Sequence, residues 1–298
     1  MDDTFVTASE FTSIFEQMVL EIKQRFAGAS LLEQERLYAL LKNFEKYVRQ
    51  VMPDADRWID ENIKNYFQQG DIFAQVALED FQLGFEVNRQ FTQVHEGAMI
   101  AVAQAMKTYQ HDAVKAQIGS LRSFINRIQS SSEDQRAVLE EVTRAVFLGD
   151  STFATSRKIS ERLAARAVGG FIQAGGKVMP LSKYAELLAR TNLRVAYTQG
   201  TLIRLKSNGI QLVVISEHGT DCKICGPLEG KIFSIKGNHP MYPPLRALPN
   251  EGTPFHPNCL HVVLPFSEEL AEQSELDNGF ILREDWPFPD TVNMIRGN

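Results

Sequence analysis

The three cysteines of this 298-residue chain and four of its six histidines all fall between His218 and Phe266. Cys222-Lys-Ile-Cys225 is a CxxC pair, and His256-Pro-Asn-Cys259-Leu-His261 follows it. A CxxC turn aims two thiolates at one metal ion, and a second turn can supply the remaining ligands. Zinc in a structural role takes four such nitrogen and sulfur donors in a tetrahedron. The candidate set is Cys222, Cys225, Cys259 and His256, because His256-x-x-Cys259 repeats the CxxC spacing. His261 is the alternative fourth ligand, since in a strand it would share a face with Cys259. One structural zinc is therefore expected. The plain alternative is three reduced cysteines in a module held by packing and turns. A redox role for the CxxC pair is disfavoured, because no βαβ pattern surrounds it.

Catalytic patterns are missing from the sequence. A zinc deaminase needs a His-x-Glu and a proline before its CxxC, and neither stands here. There is no GxSxG, no P-loop and no HExxH. The odd cysteine count argues for a reducing compartment over a disulfide framework. The acidic start, MDDTFVTASE, predicts no signal peptide, and no apolar run reaches the 18 residues of a membrane span.

The elements that must position these donors are mostly helical. Ser9 reads as an N-cap, and Phe11, Ile14, Phe15, Met18, Val19, Ile22 and Phe26 recur at helical spacing. Gly28 is expected to end that helix. A second helix carries Leu37, Leu40, Leu41, Phe44, Val48 and Val51, and Pro53 should break it. A third follows with Trp58, Ile59, Ile63, Tyr66 and Phe67, up to Gly70-Asp71. Helical pattern continues from Ile72 to about Ile128, and the small residues from Gly97 onward allow close packing. Ser130-Ser-Ser-Glu-Asp is the best linker. Helices are expected over about 133–147 and 155–173. A long helix from Leu181 to Asn208, with Ser182 as its cap, stops at Asn208-Gly209. Short strands should follow at 210–216, 231–235 and 261–264. Beyond residue 266 the periodicity is weak, although Trp286-Pro-Phe-Pro could pack as an extended peptide. The fold class is mainly α with a small C-terminal α+β module. The domains expected are a helical arm or bundle at 1–130, a module at 131–266 with its Cys/His-rich part at 218–266, and an acidic tail at 267–298.

The net charge of −6 is unevenly spread. Residues 1–118 hold 11 Lys and Arg against 18 Asp and Glu, 119–210 hold 14 against 7, and 211–298 hold 6 against 12. A basic middle between acidic ends suits nucleic acid, an acidic partner or the chain's own acidic segments. If DNA is the partner, the contact candidates are Arg157, Lys158, Arg162, Arg166, Arg190, Arg194, Arg204 and Lys206. Without base-reading motifs, such binding would be independent of sequence.

The order of helix, Asn-Gly stop, strand, D-x-C-x-x-C-x-x-L-x-G-K-x-F, proline-rich insert and H-P-N-C resembles the Mu F-like minor head protein module of tailed bacteriophages. The matching residues are Asp221, Cys222, Cys225, Leu228, Gly230, Lys231, Phe233, Pro254, His256, Pro257, Asn258 and Cys259. The helix from Ala189-Arg190-Thr191 through Tyr197 and Gly200 also fits. The ending Asn258-Cys259-Leu-His261 through Pro265-Phe266 is similar to the related minor capsid protein 2 group. The resemblance covers about residues 180–266. Asn192 stands where the family usually has Glu, and His261 where the Mu F type has a final Cys. The resemblance implies a virion protein inside the head, made in the host cytoplasm. Its implied partners are the portal protein, scaffold or major capsid protein, and packaged DNA. It implies a role in head morphogenesis, not an enzyme. The competing readings are a metal-dependent nucleic-acid enzyme and a zinc-ribbon DNA-binding protein.

Overall fold

The computed structural model describes residues 3–26, 34–80, 86–129, 172–174, 177–179, 181–281, 285–289 and 291. Its long helices are α1 (Asp3–Phe26), α2 (Gln34–Asp80), α3 (Gln93–Gln129) and α4 (Leu181–Ser207). A short α5 spans Gln273–Asn278. The strands are β1 (Ile172–Ala174), β2 (Lys177–Met179), β3 (Leu212–Ile215), β4 (Ile232–Ser234) and β5 (Val263–Phe266). The mainly α class with a small C-terminal sheet is what the sequence predicts. Two compact units form: Met1–Ile59 with Ala105–Ala189, and Asp60–Gln104 with Arg190–Asn298.

Several expected helix boundaries differ from the observed ones. Ser9 lies inside α1, where its hydroxyl donates to the Val6 carbonyl at 2.6 Å. Ser182 likewise lies inside α4. Pro53 does not break the chain, because α2 runs through it for 47 residues. A proline forfeits one helical hydrogen bond at a cost of about 3 kcal/mol. Burial of Val48, Ala55, Ile59 and Ile63 along one stripe keeps both flanks helical. Ile172–Ala174 is a strand, not a helix end, and pairs antiparallel with Lys177–Met179. The register sets Ala174 opposite Lys177. The helix expected over 133–147, and residues 155–171 of the one expected over 155–173, lie outside the described residues.

In the first unit, Phe11 and Phe15 are fully buried on α1, and the Phe11 ring meets Trp58 of α2 at 4.6 Å. Each such phenylalanine contributes about 1.5–3 kcal/mol by leaving water. The His111 ring of α3 lies 2.9 Å from the Asp56 carboxylate of α2.

In the second unit, two glycines explain each other. A Cβ on Gly70 would sit 1.8 Å from the Tyr197 carbonyl oxygen, and one on Gly200 would sit 2.1 Å from that of Phe67. Backbones of α2 and α4 therefore touch at this crossing. Gly70 is a packing residue rather than a stop, and the Thr201 hydroxyl donates to its carbonyl at 3.1 Å. Gly97, in contrast, has open space where its Cβ would be.

Beside the crossing lies Arg204, fully buried. Its Nε and Nη2 donate to the Asp71 carboxylate at 2.8 and 3.0 Å. Nη1 donates to the carbonyls of Asn88 and Gln90, and Nη2 to that of Arg89. All five guanidinium donors are thus used. His95 packs against the same carboxylate, with Nε2 3.5 Å from Asp71. Its Nδ1 accepts from the Thr92 backbone N–H at 3.1 Å, which places the ring proton on Nε2. Thr92 precedes the first residue of α3, so His95 performs the reciprocal half of a capping box.

The α4 stop follows the sequence expectation. Gly209 has φ +81°, the Ile210 N–H returns to the Leu205 carbonyl, and the Gly209 N–H to that of Lys206. This is a Schellman ending, and it feeds β3. The sheet order is β4-β3-β5, antiparallel throughout. Pro265 occupies an edge strand, where a missing N–H is tolerated. Strand alternation sorts side chains to two faces. Val213, Ile215, Phe233 and Val263 join Leu202, Leu205, Ala74 and Leu78 in one core. Leu212, Ile232, Tyr242 and Phe266 form another, with Leu276 and Phe280 packed against it. Trp286 enters the first core, as its sequence context allows, and its ring lies 6.2 Å from Phe233.

Two measurements check this hub. Asp71→Ala leaves the Arg204 charge buried without its carboxylate and should cost roughly 3–5 kcal/mol in denaturant unfolding; a loss within about 0.5 kcal/mol would show that the carbonyls alone suffice. Burial, then the Arg204 charge, hold the His95 imidazole below its ordinary value of 6.5. The folded state therefore refuses a proton that the unfolded chain accepts, and stability should fall as pH drops below 6.5. In His95→Gln, which keeps a cap acceptor but cannot titrate, this share of the pH dependence should vanish. Identical pH profiles for the two proteins would contradict it.

Candidate metal centre

The donors come from two turns. Between β3 and β4, the Thr220 hydroxyl accepts from the Cys222 N–H at 3.2 Å, and the Gly226 N–H closes on the Cys222 carbonyl at 2.8 Å. The segment continues as a 3-10 turn at Gly226–Leu228 that buries Leu228. A Cβ on Gly226 would lie 2.9 Å from the Thr220 carbonyl oxygen, so the turn admits little else there. Before β5, the Cys259 N–H bonds to the His256 carbonyl at 2.9 Å. Pro257 and Asn258 occupy the middle of this turn, where proline presets φ. The Arg190 guanidinium bonds the Asn258 side chain of this turn.

The five expected donors fall into two overlapping groups of three rather than one set of four. His256 Nε2 lies 3.4 Å from Cys222 Sγ and 3.3 Å from Cys225 Sγ. His261 Nδ1 lies 3.4 Å from Cys259 Sγ. Cys222, Cys225 and His256 form one set with ligand atoms within 4.8 Å of one another, and Cys225, Cys259 and His261 a second. Cys225 belongs to both. A zinc tetrahedron with bonds near 2.3 Å to sulfur and 2.0 Å to nitrogen has sulfur–nitrogen edges of about 3.5 Å. The observed separations fit that edge, so the cluster can hold a metal ion of zinc's ligand preference.

The surroundings shift these donors in different directions. Backbone N–H groups of Cys225 and Ile224 pull the Cys222 thiol below its ordinary range. Burial, together with Cys222 and Cys259 nearby, pushes Cys225 up to about 12. Burial also raises Cys259 and, with His261 beside it, lowers His256. A bound divalent cation would invert this balance and deprotonate the thiols.

Glu229 was not foreseen. It occupies the unspecified position of the Leu-x-Gly-Lys stretch, and its Oε1 lies 2.7 Å from His261 Nε2. Its carboxylate also accepts from the backbone N–H groups of His218, Gly219 and Thr220. Burial works against its charge, yet the bonds from His261, His218 and Thr220 outweigh it and hold the carboxyl below the ordinary range. The available signal was a lone acidic residue four positions after the CxxC pair. His239 instead serves a turn, where its Nδ1 accepts from the Tyr242 N–H.

The DNA-contact candidates need correction. Arg204 is fully buried and spends every donor inside the protein, and Arg194 is buried as well. Neither can reach a phosphate. Both sit on α4 at spacings that read as a solvated basic face, but that face packs inward. Lys206 is exposed and Arg190 half-buried. Arg157, Lys158, Arg162 and Arg166 lie outside the described residues.

A family model described as Phage minor capsid protein 2 matches residues 9–281. No curated protein and no solved structure matches.

Proposed function

The chain belongs to the phage minor capsid protein 2 family, and on that premise we propose that it is a structural protein at the portal vertex of the phage head, acting in procapsid assembly and genome packaging. Membership in a capsid family makes it a head protein of the virion. The observation that carries the proposal is the span of the match, which takes in the helical body as well as the Cys/His turns. One family architecture thus joins long helices, suited to docking, to a small module whose donors suit a closed metal centre. A structural zinc held by Cys222, Cys225, Cys259 and one histidine would cross-link the β3–β4 turn to the entry of β5. No helix among the described residues is long and apolar enough to cross a membrane.

Two experiments test this. Co-expressed with the portal protein, the full chain should co-purify with it. Removing residues 1–33 takes away α1, with exposed Val6 and Leu20, but spares Asp71 and the Arg204 hub. That truncation should weaken capture; undiminished capture would move the contact to another element, and no capture of the full chain would sink the portal reading. Elemental analysis of protein purified without added metal should find one zinc per chain. Structural zinc supplies folding free energy, so Cys222→Ser should lose zinc and thermal stability together. A zinc-free protein whose melting temperature ignores chelator would end the metal reading.

A further inference from the structure

We infer that His261, through Nδ1, is the histidine that completes the three-cysteine set, and that Glu229 is the residue that positions it. This rests on the metal-centre reading above and settles which of two histidines serves it.

The argument starts from hydrogen-bond inventory. Glu229 accepts from three successive backbone N–H groups, His218 at 2.9 Å, Gly219 at 3.1 Å and Thr220 at 3.4 Å. Those fixed donors hold it as a carboxylate, which has no proton to give. The 2.7 Å contact to His261 must therefore use a proton on Nε2. Nδ1 is left with a lone pair, and it points at Cys259 Sγ 3.4 Å away. A lone pair facing a sulfur needs a proton or a cation between them. A metal ion serves both, and a carboxylate behind the far nitrogen of a ligating histidine is the usual means of fixing its tautomer and ring orientation.

The ring is also held sterically. His218 meets it edge-on at 4.9 Å and Phe255 at 6.1 Å. Its side chain is 3% exposed. Cys225, Cys259 and His261 are all buried, whereas Cys222 and His256 are each partly open to solvent. A ligand already locked in place loses little freedom on binding.

His256 lacks such support, since among the described residues none hydrogen-bonds its Nδ1. Its Nε2 sits between Cys222 and Cys225 Sγ. Three thiolates, one neutral histidine and a divalent cation carry a net charge of −1. A proton on His256 Nε2 can donate to those two sulfurs and disperse that charge. His256 thus acts on the ligands, and His261 is one of them.

Cobalt substitution in the full-length protein tests this, because tetrahedral cobalt reports ligand type through its absorption bands. His261→Cys should add a fourth thiolate-to-cobalt charge-transfer contribution, while His256→Cys leaves the three-thiolate intensity unchanged. Chelator competition should show tight zinc binding retained in His256→Ala. Glu229→Gln should weaken it about 10–100-fold with the same three-thiolate spectrum, and Glu229→Asp should restore part of the loss. The reverse pattern, with His256 variants altering the spectrum and His261 variants silent, would overturn the assignment while leaving the metal centre intact. Equal affinity in Glu229→Gln and wild type would remove Glu229 from its positioning role. Failure of the wild-type protein to bind either cobalt or zinc would defeat the metal-centre reading itself, and this inference with it.

Discussion

A guanidinium sealed from water is tolerable only when every donor has a partner, and Arg204 meets that condition through three separate stretches of chain. Asp71 comes from α2, the carbonyls of residues 88–90 from the segment before α3, and Arg204 itself from α4. None of these stretches can shift by one residue without stranding a charge. The neighbouring features obey the same constraint. Gly70 and Gly200 let the helix backbones approach until the Arg204 side chain spans the gap to Asp71. Asn208 clamps both backbone groups of Asn88, its Oδ1 accepting from the N–H at 2.6 Å and its Nδ2 donating to the carbonyl at 3.1 Å.

From this hub the chain runs directly into the chemistry. Arg204 lies four positions before Asn208 of the Asn208-Gly209 stop, and β3 begins three residues after Gly209. The α4 register thus fixes which face of β3 meets the core. Val213 and Ile215 go inward, toward Leu202 and Leu205. The strand then delivers the CxxC turn, and its edge partner β5 receives the chain just past Cys259 and His261. Cys225 and Cys259 are members of that same core. Two thiols and a histidine are therefore placed by apolar packing, which would lower the ordering cost of holding a metal ion there.

Local signals were legible and long-range ones were not. The Asn208-Gly209 stop, the three short strands and the Cys/His donors each declare themselves within a few residues. Pro53 and Gly70 misled because their meaning is tertiary. A proline normally ends a helix, but a buried stripe on both sides holds α2 together. A glycine normally marks a turn, but Gly70 answers a backbone 127 positions away. Arg204 misled most, because a basic residue on an amphipathic helix looks solvated until its partner is known. Glu229 escaped because nothing in its neighbours distinguishes it from a surface acid. Its role exists only once residues 218–220 fold their N–H groups around it.

The second unit contains two polar centres, Arg204 with Asp71 and the Cys/His cluster with Glu229. Neither is required for hydrophobic stability, and a buried ion pair often contributes less than apolar residues of equal volume would. What each centre does supply is a penalty for every misaligned alternative, since a shifted helix leaves a buried charge and a shifted turn leaves an unmatched lone pair. An enzyme needs such exactness around a substrate pocket. A protein that assembles into a larger shell needs it in the surfaces it presents, because docking geometry is set by the register of the elements beneath. The hub fixes the helices and the cluster fixes the turns, so the polar groups of the unit add specificity to what the apolar core between them supplies.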